Sequence, residues 1–277
     1  MGQEAAMPLQ LDTAPRRHDD RAGLPPLARA SRLVLLRAMN ESGASSEAVA
    51  ARLRTAIDLG FFTDGEPLPK EALLAKQLEV TTFALREALA QLRSEGLVST
   101  RAGRGGGTFV RRVPEHLRII SQTRLRELSA VVLRDLGDWR AMLVGESAEL
   151  AAQRASEANF ARLHAYAQRL QEAESPLAGR RAHARFHVEL AAAGQSLRMS
   201  AAELELHEEF GWLFALPLED EEFRSREAGR LASIIRAVEN RDGDQARKLA
   251  RGTVQASMDV LVRLRLELIA KKEEEAL

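Results

Sequence analysis

The chain has 277 residues, with 40 Lys plus Arg against 40 Asp plus Glu. Its formal charge is therefore zero, which argues against a protein that coats nucleic acid without sequence preference but leaves room for a reader with a few placed cations. Cysteine is absent, which excludes disulfides, thiolate zinc sites and a cysteine nucleophile, and aromatics at 4% are too sparse for the stacking platforms of single-strand or RNA binders. No run of 18 or more apolar residues occurs and the N-terminal stretch lacks an apolar signal core, so a soluble, cytoplasmic chain of one large or two ordinary domains, with no membrane partner, is expected.

Residues 1–28 carry Pro8, Pro15, Pro25 and Pro26 with clustered charges and no sustained periodicity, the composition of a mobile arm. Arg16, Arg17 and Arg21 give that arm a second reading, as a segment reaching into a DNA groove. Ser31–Glu41 predicts a short helix with Leu33, Leu35, Leu36 and Met39 inward. Ser45 or Ser46 can cap the next helix, in which Val49, Leu53 and Ile57 recur at helical spacing before Gly60. Pro69 suits the first turn of a following helix bearing Leu73, Leu74 and Leu78. Thr81 or Thr82 can cap a third, with Leu85, Leu89 and Leu92 as its buried stripe and Gly96 as its stop. LVST and GTFV then alternate as two strands around the tip RAGRGGG, where glycine makes regular structure too costly in entropy.

Helices, a short turn, a third helix and two strands around a glycine tip are the order of a winged helix-turn-helix, and few functions other than duplex DNA binding use it. The expected reader occupies residues 29–113. Its DNA-contacting candidates are Thr81, Thr82, Phe83 and Arg86 at the start of the third helix, with Arg101, Arg104 and Gly105 on the wing. Arg104 suits either a narrow minor groove or a phosphate. The glycine run is no phosphate loop, because it lacks the Gly-Lys-Ser/Thr ending and leads into a strand.

Residues 114–277 show no strand pattern. Gly137, Glu174–Pro176, Gly194 and Pro217 punctuate amphipathic segments that fit six or seven helices, among them Asp138–Arg154, Asn159–Glu172, Leu177–Ala193 and Asp242–Lys271. The fold class is mostly α: a winged helix-turn-helix followed by an all-α bundle. Arg140, placed near the start of a helix whose Leu143, Leu150 and Ala151 face inward, needs an anionic partner. That partner is either a protein carboxylate or an acidic ligand. His183 and His187 lie at i, i+4, on one helix face, and Phe210 and Phe214 share another. No Ser elbow, triad or zinc-protease glutamate is present, so no enzyme is expected.

The reader resembles the GntR family of bacterial transcription regulators. The resemblance rests on Gly65-Glu66, Leu68-Pro69, Glu71, Leu74-Ala75, Val80, Arg86-Glu87-Ala88-Leu89, Glu95-Gly96-Leu97-Val98 and Gly107-Thr108-Phe109-Val110, in the family's order. Asp138-x-Arg140, Leu150-Ala151-Ala152, Phe186-His187 and the Asp242…Ala246 segment are similar to landmarks of its FadR-like branch, whose C-terminal domain is helical and binds effectors. The family often has arginine where this chain has Ala72 and Thr82, which implies a different operator preference. Many members of the branch hold a divalent metal with an acidic residue one turn before the Phe-His histidine and two later histidines. Only His187 is retained. His183 takes the acidic place, and Leu231 and Thr253 take the later ones.

Two ligands from one helix hold a metal poorly, so no metal or other cofactor is expected. Arg140, His183 and His187 are the expected ligand-binding set, for a small anionic effector. The resemblance implies a homodimeric, ligand-responsive regulator, acting as a repressor on a pseudo-palindromic DNA operator. The rival is an architectural or replication-associated winged-helix protein whose helical domain only oligomerises. Convergent polar side chains in a pocket favour the first; a fully apolar bundle favours the second.

Overall fold

Ser45 sets the first helix of the reader: its side chain accepts from the Ala48 amide at 3.2 Å and opens α1 (Ser46–Asp58). The computed structural model describes residues 45–62, 64–103, 106–111 and 117–275. The expected arm at 1–28, the helix expected at Ser31–Glu41, and Arg104 and Gly105 of the wing lie outside them. Val49, Leu53 and Ile57 are fully buried on α1, and Gly60 turns the chain out of it at φ +67°. Next comes α2 (Glu71–Leu78), which starts two residues later than Pro69 suggests, with Lys70 at its cap and no side-chain bond there. Leu74 and Leu78 are buried, but Leu73 is 51% exposed, so the helix buries a narrower stripe than expected. Thr81 caps α3 (Thr82–Ser94) through the Ala84 amide at 3.1 Å, and Leu85, Leu89 and Leu92 fill the reader core.

Strands β1 (Val98–Arg101) and β2 (Gly107–Val110) pair antiparallel, Val98 opposite Val110 and Arg101 opposite Gly107. A third edge was not expected. The segment before α2 joins the wing through a Pro67–Phe109 bridge, with Leu68 donating its amide to the Thr108 carbonyl at 2.8 Å.

Seven helices follow among the described residues: α4 (Leu117–Glu127), α5 (Ala130–Arg154), α6 (Glu157–Gln171), α7 (Pro176–Ala193), α8 (Leu197–Phe214), α9 (Glu221–Glu239) and α10 (Gly243–Glu275). Ser129, Ser156, Ser175, Ser196 and Asp220 cap α5 to α9 with side-chain oxygens, so the breaks between helices are written as short polar caps. Gly137 does not punctuate. It lies inside α5, where an added Cβ would sit 3.2 Å from Met258 of α10, and it permits the close approach of the two longest helices. Leu143 and Ala151 face the core as expected, whereas Leu150 is only partly buried.

The two halves share a packed junction. Ala184 and Val188 of α7 and Leu204 of α8 belong to the reader's hydrophobic core. Arg185 of α7 donates to the carbonyl oxygens of Leu59 (2.7 Å) and Gly60, Arg181 reaches the Ile57 carbonyl at 3.5 Å, and Arg180 pairs with Asp58 at 3.0 Å. A helix C-terminus presents unpaired carbonyls and negative partial charge, so arginines are suited to fasten it. Gly60 is required twice here, by its positive φ and because a Cβ would come within 2.9 Å of Arg181.

Candidate functional site

The outward surface of the reader follows from which side of α3 the core leaves out. Ala84, Leu85, Ala88 and Leu89 are buried, which turns Thr82, Phe83 and Arg86 outward at the helix N-terminus. Phe83 is 71% exposed, an arrangement that burial cannot explain and that suits contact with a thymine methyl. Thr81 is exposed too; its hydroxyl oxygen accepts the capping bond from the Ala84 amide and its O–H remains free to donate. Arg86 pairs with Glu71 of α2 through Nε at 2.8 Å, both side chains remaining open to solvent. On the wing, the Arg101 guanidinium lies 4.5 Å from the centre of the Phe109 ring. The pairing of β1 with β2 carries Arg101 out on the exposed hairpin.

In the helical domain, three expected residues are brought to one buried place. Arg140 is in the middle of α5 rather than near its start, and only 3% exposed. Its guanidinium lies 3.7 Å from the centre of the Phe214 ring of α8, and its Nη1 is 3.7 Å from Oε1 of Glu203 on the same helix. His183 and His187 of α7 are both buried, with their Nε2 atoms 3.2 Å apart. Three further residues complete the cluster, none anticipated from the sequence. Glu203 stands 3.3 Å from His207 Nε2, and Glu227 of α9 stands 3.4 Å from His183 Nε2. Glu203 and His207 do share an i, i+4 face, but Glu205, Glu208 and Glu209 surround them in sequence and hide which carboxylate turns inward.

The electrostatics follow from burial. Burial, then the neighbouring His183, Arg140 and His207, holds the His187 imidazole well below its usual range, and burial lowers His207 against the pull of Glu203. Burial also lowers the Arg140 guanidinium, opposed by Glu203 and Glu227. For Glu203 burial acts upward, but Arg140 and the histidines outweigh it and the carboxyl lies below its ordinary value. Nη1 and Nη2 of Arg140, Nδ1 of His187, Oε1 of Glu203 and Oε1 of Glu227 make no hydrogen bond among the described residues. Orphaned buried groups of this kind cost about 1–3 kcal/mol each unless something satisfies them. A narrow cleft reaches His183 and His207 from the junction, lined by Thr55, Asp58 and Leu59 of the reader and by Arg180 and Phe214 of the helical domain.

One consequence is a pH dependence of stability. Because the folded His187 has a depressed pKa, the unfolded chain takes up a proton near pH 6.5 that the folded chain refuses. Stability is therefore kept above about pH 6.5 and lost as pH falls below it, by up to about 1.4 kcal/mol per pH unit for such a group. Denaturant melts between pH 7.5 and 5.5 should show this slope. It should flatten in His187→Gln; an unchanged slope in that variant would place the effect elsewhere.

A winged-helix reader joined to a helical domain with a buried polar cluster defines a DNA-binding transcription regulator. Residues 45–110 match the model of the bacterial regulatory proteins of the gntR family, and residues 135–256 match the FCD domain. The chain is 35% identical over 225 residues to RmpR of Mycobacterium gastri, described as an HTH-type transcriptional regulator, covering 80% of this chain and 82% of that one. It is 38% identical over 117 residues to the Glc operon transcriptional activator of Escherichia coli K12, covering 41% of this chain and 44% of that protein. The solved structure of E. coli McbR/YncC is similar over 79% of this chain and 97% of that one, at 17% identity and a TM-score of 0.48. The chain belongs to the GntR family, its C-terminal half being an FCD effector-binding domain, and like its relatives it is a regulator and not an enzyme. Among the described residues no helix is long and apolar enough to cross a membrane.

Proposed function

We propose that the protein is a homodimeric repressor of a pseudo-palindromic operator, whose DNA affinity is set by a small acidic metabolite bound at Arg140, His183 and His187. The observation that carries this reading is Arg140: a guanidinium sealed in the bundle, with two N–H-bearing nitrogens unbonded and its carboxylate partner too distant for a hydrogen bond. A ligand carboxylate or phosphate would supply those acceptors with bidentate geometry. The convergence of polar groups from α5, α7, α8 and α9 favours this over a helical domain that only oligomerises.

The dimer is supported by the outer surface of α5. Val131, Val132, Trp139 and Met142 are exposed and fall within an arc of about 100° on the helix. They flank a groove against α10, where Val262 and Leu266 are exposed as well. Exposed apolar surface of this extent marks an association face, and a second copy carries the same face.

The test is a thermal-shift screen of carboxylates and phosphorylated metabolites against the full chain. A true effector stabilises the wild type, by about 2.7 kcal/mol at a hundredfold excess over its dissociation constant. It also shifts operator affinity by roughly 1–3 kcal/mol of coupling. The double variant Arg140→Met with Glu203→Gln should lose both responses. A compound that keeps its full effect there would move the pocket elsewhere, and a screen in which only neutral compounds or none affect DNA binding would favour the architectural reading.

A further inference from the structure

Among the described residues of the reader, two large apolar side chains are exposed, Leu73 and Phe83, and Phe83 is the more open at 71%. Folding gains from burying a phenylalanine, yet α3 turns this one away from its buried side, made of Ala84, Leu85, Ala88 and Leu89. The place is specific. Thr81 caps the helix through the Ala84 amide, so Phe83 belongs to the first turn, the end that a recognition helix brings to base edges. Thr82, Arg86 and Phe83 fall in that order within an arc of about 100° around the axis, and Arg86 lies about 4.5 Å further along it than Phe83. All three are exposed.

A phenyl ring has no hydrogen-bond donor or acceptor, so it cannot read the polar pattern of a base pair, and it has no charge for a phosphate. The major groove offers one apolar group, the C5-methyl of thymine. Bases are stacked about 3.4 Å apart, so side chains offset by about 4.5 Å along a helix reach neighbouring or next-neighbouring pairs. We propose that Phe83 is a specificity-determining residue that recognises a thymine by its methyl group, one or two base pairs from the base edge that Arg86 addresses. The inference rests on the operator-binding reading of α3 and adds to it the chemistry of one base. Arg86 selects by hydrogen bonds and Phe83 by apolar contact, so the two discriminations are separable. Exchanging thymine for cytosine removes the methyl and also turns the O4 acceptor into an N4 donor; exchanging it for uracil removes the methyl alone.

The test uses the full chain and an operator selected from a random duplex library. Each thymine of a half-site is replaced in turn by deoxyuridine, which deletes the methyl and keeps the pairing. At one position wild-type binding should weaken by about fourfold per half-site, the transfer value of one such group. With cytosine at that position, adding a 5-methyl group to it should restore about fourfold. Phe83→Ala should bind the thymine and uracil operators equally while keeping its thermal midpoint, and Phe83→Leu, still apolar, should retain part of the preference. Arg86→Ala reports on the docking by itself. If it loses operator affinity while wild type is indifferent to uracil at every thymine, the methyl inference is overturned and the docking stands. Unchanged operator binding in Arg86→Ala removes the docking on which both rest. A uracil penalty that persists in Phe83→Ala assigns the methyl to another side chain and overturns the proposal. So does a Phe83→Ala variant that keeps wild-type operator affinity but loses self-association, which would place the ring against a second copy of the chain.

Discussion

Arg140→Ala is expected to lose stability on the scale of about 3–5 kcal/mol, because it leaves the Glu203 carboxylate buried with no guanidinium beside it. The same replacement uncovers the Phe214 ring on which Arg140 rests, adding a cavity to the unpaired charge. Arg140→Met with Glu203→Gln removes the charges together and should recover most of the loss, since paired removal of buried ions is often neutral. The comparison is made by denaturant titration at pH 7.5. Equal midpoints for wild type and Arg140→Ala would mean that Glu203 is not dependent on this cation, and the electrostatic account of the cluster would fail. The double variant also gives a stable background for effector measurements, which Arg140→Ala alone does not.

Arg86→Ala should act on DNA and hardly on folding. At the N-terminal end of the recognition helix, an arginine reading a base edge contributes about 1–3 kcal/mol, so affinity for an operator selected from a duplex library should fall by roughly 5- to 150-fold. The pair with Glu71 is largely exposed, and exposed ion pairs contribute about 0–1 kcal/mol, so the thermal midpoint should scarcely move. Discrimination between operator and random duplex should shrink with affinity. A variant that binds both duplexes as the wild type does would remove Arg86 from the interface.

The reader was legible because its signals are local. Thr81 as a cap, Gly96 as a stop and the Leu85, Leu89, Leu92 stripe each act within a turn or two, and periodicity reports them directly. The helical domain's class was legible for the same reason, but Gly137 was misread. Glycine breaks a helix by default, and only the distant Met258 shows that here it makes room instead. In the site, Arg140 stood out as a cation on a helix with an apolar face, and His183 and His187 by their i, i+4 spacing and the family's Phe-His landmark. Glu203 and Glu227 did not, because each lies among exposed acids or cations of similar spacing, and inward orientation is decided by which helix packs on which. Leu73 shows the converse, an apolar residue left outside by a narrow contact.

Helix α7 presents His183 and His187 on one side and Arg181 and Arg185 on the other, the two pairs being offset by two residues, or about 200° around the axis. It therefore joins the polar cluster and the end of α1 through a single helix. A side chain of this size ends about 6 Å from the helix axis, so turning α7 by about 20° would sweep its tip through about 2 Å. That travel is greater than the tolerance of a hydrogen bond, and the grip of Arg185 on the Leu59 and Gly60 carbonyls would be kept or lost as a whole. A change among the imidazoles that turned α7 would thus reach the end of α1 directly, with no chain of intermediaries between them.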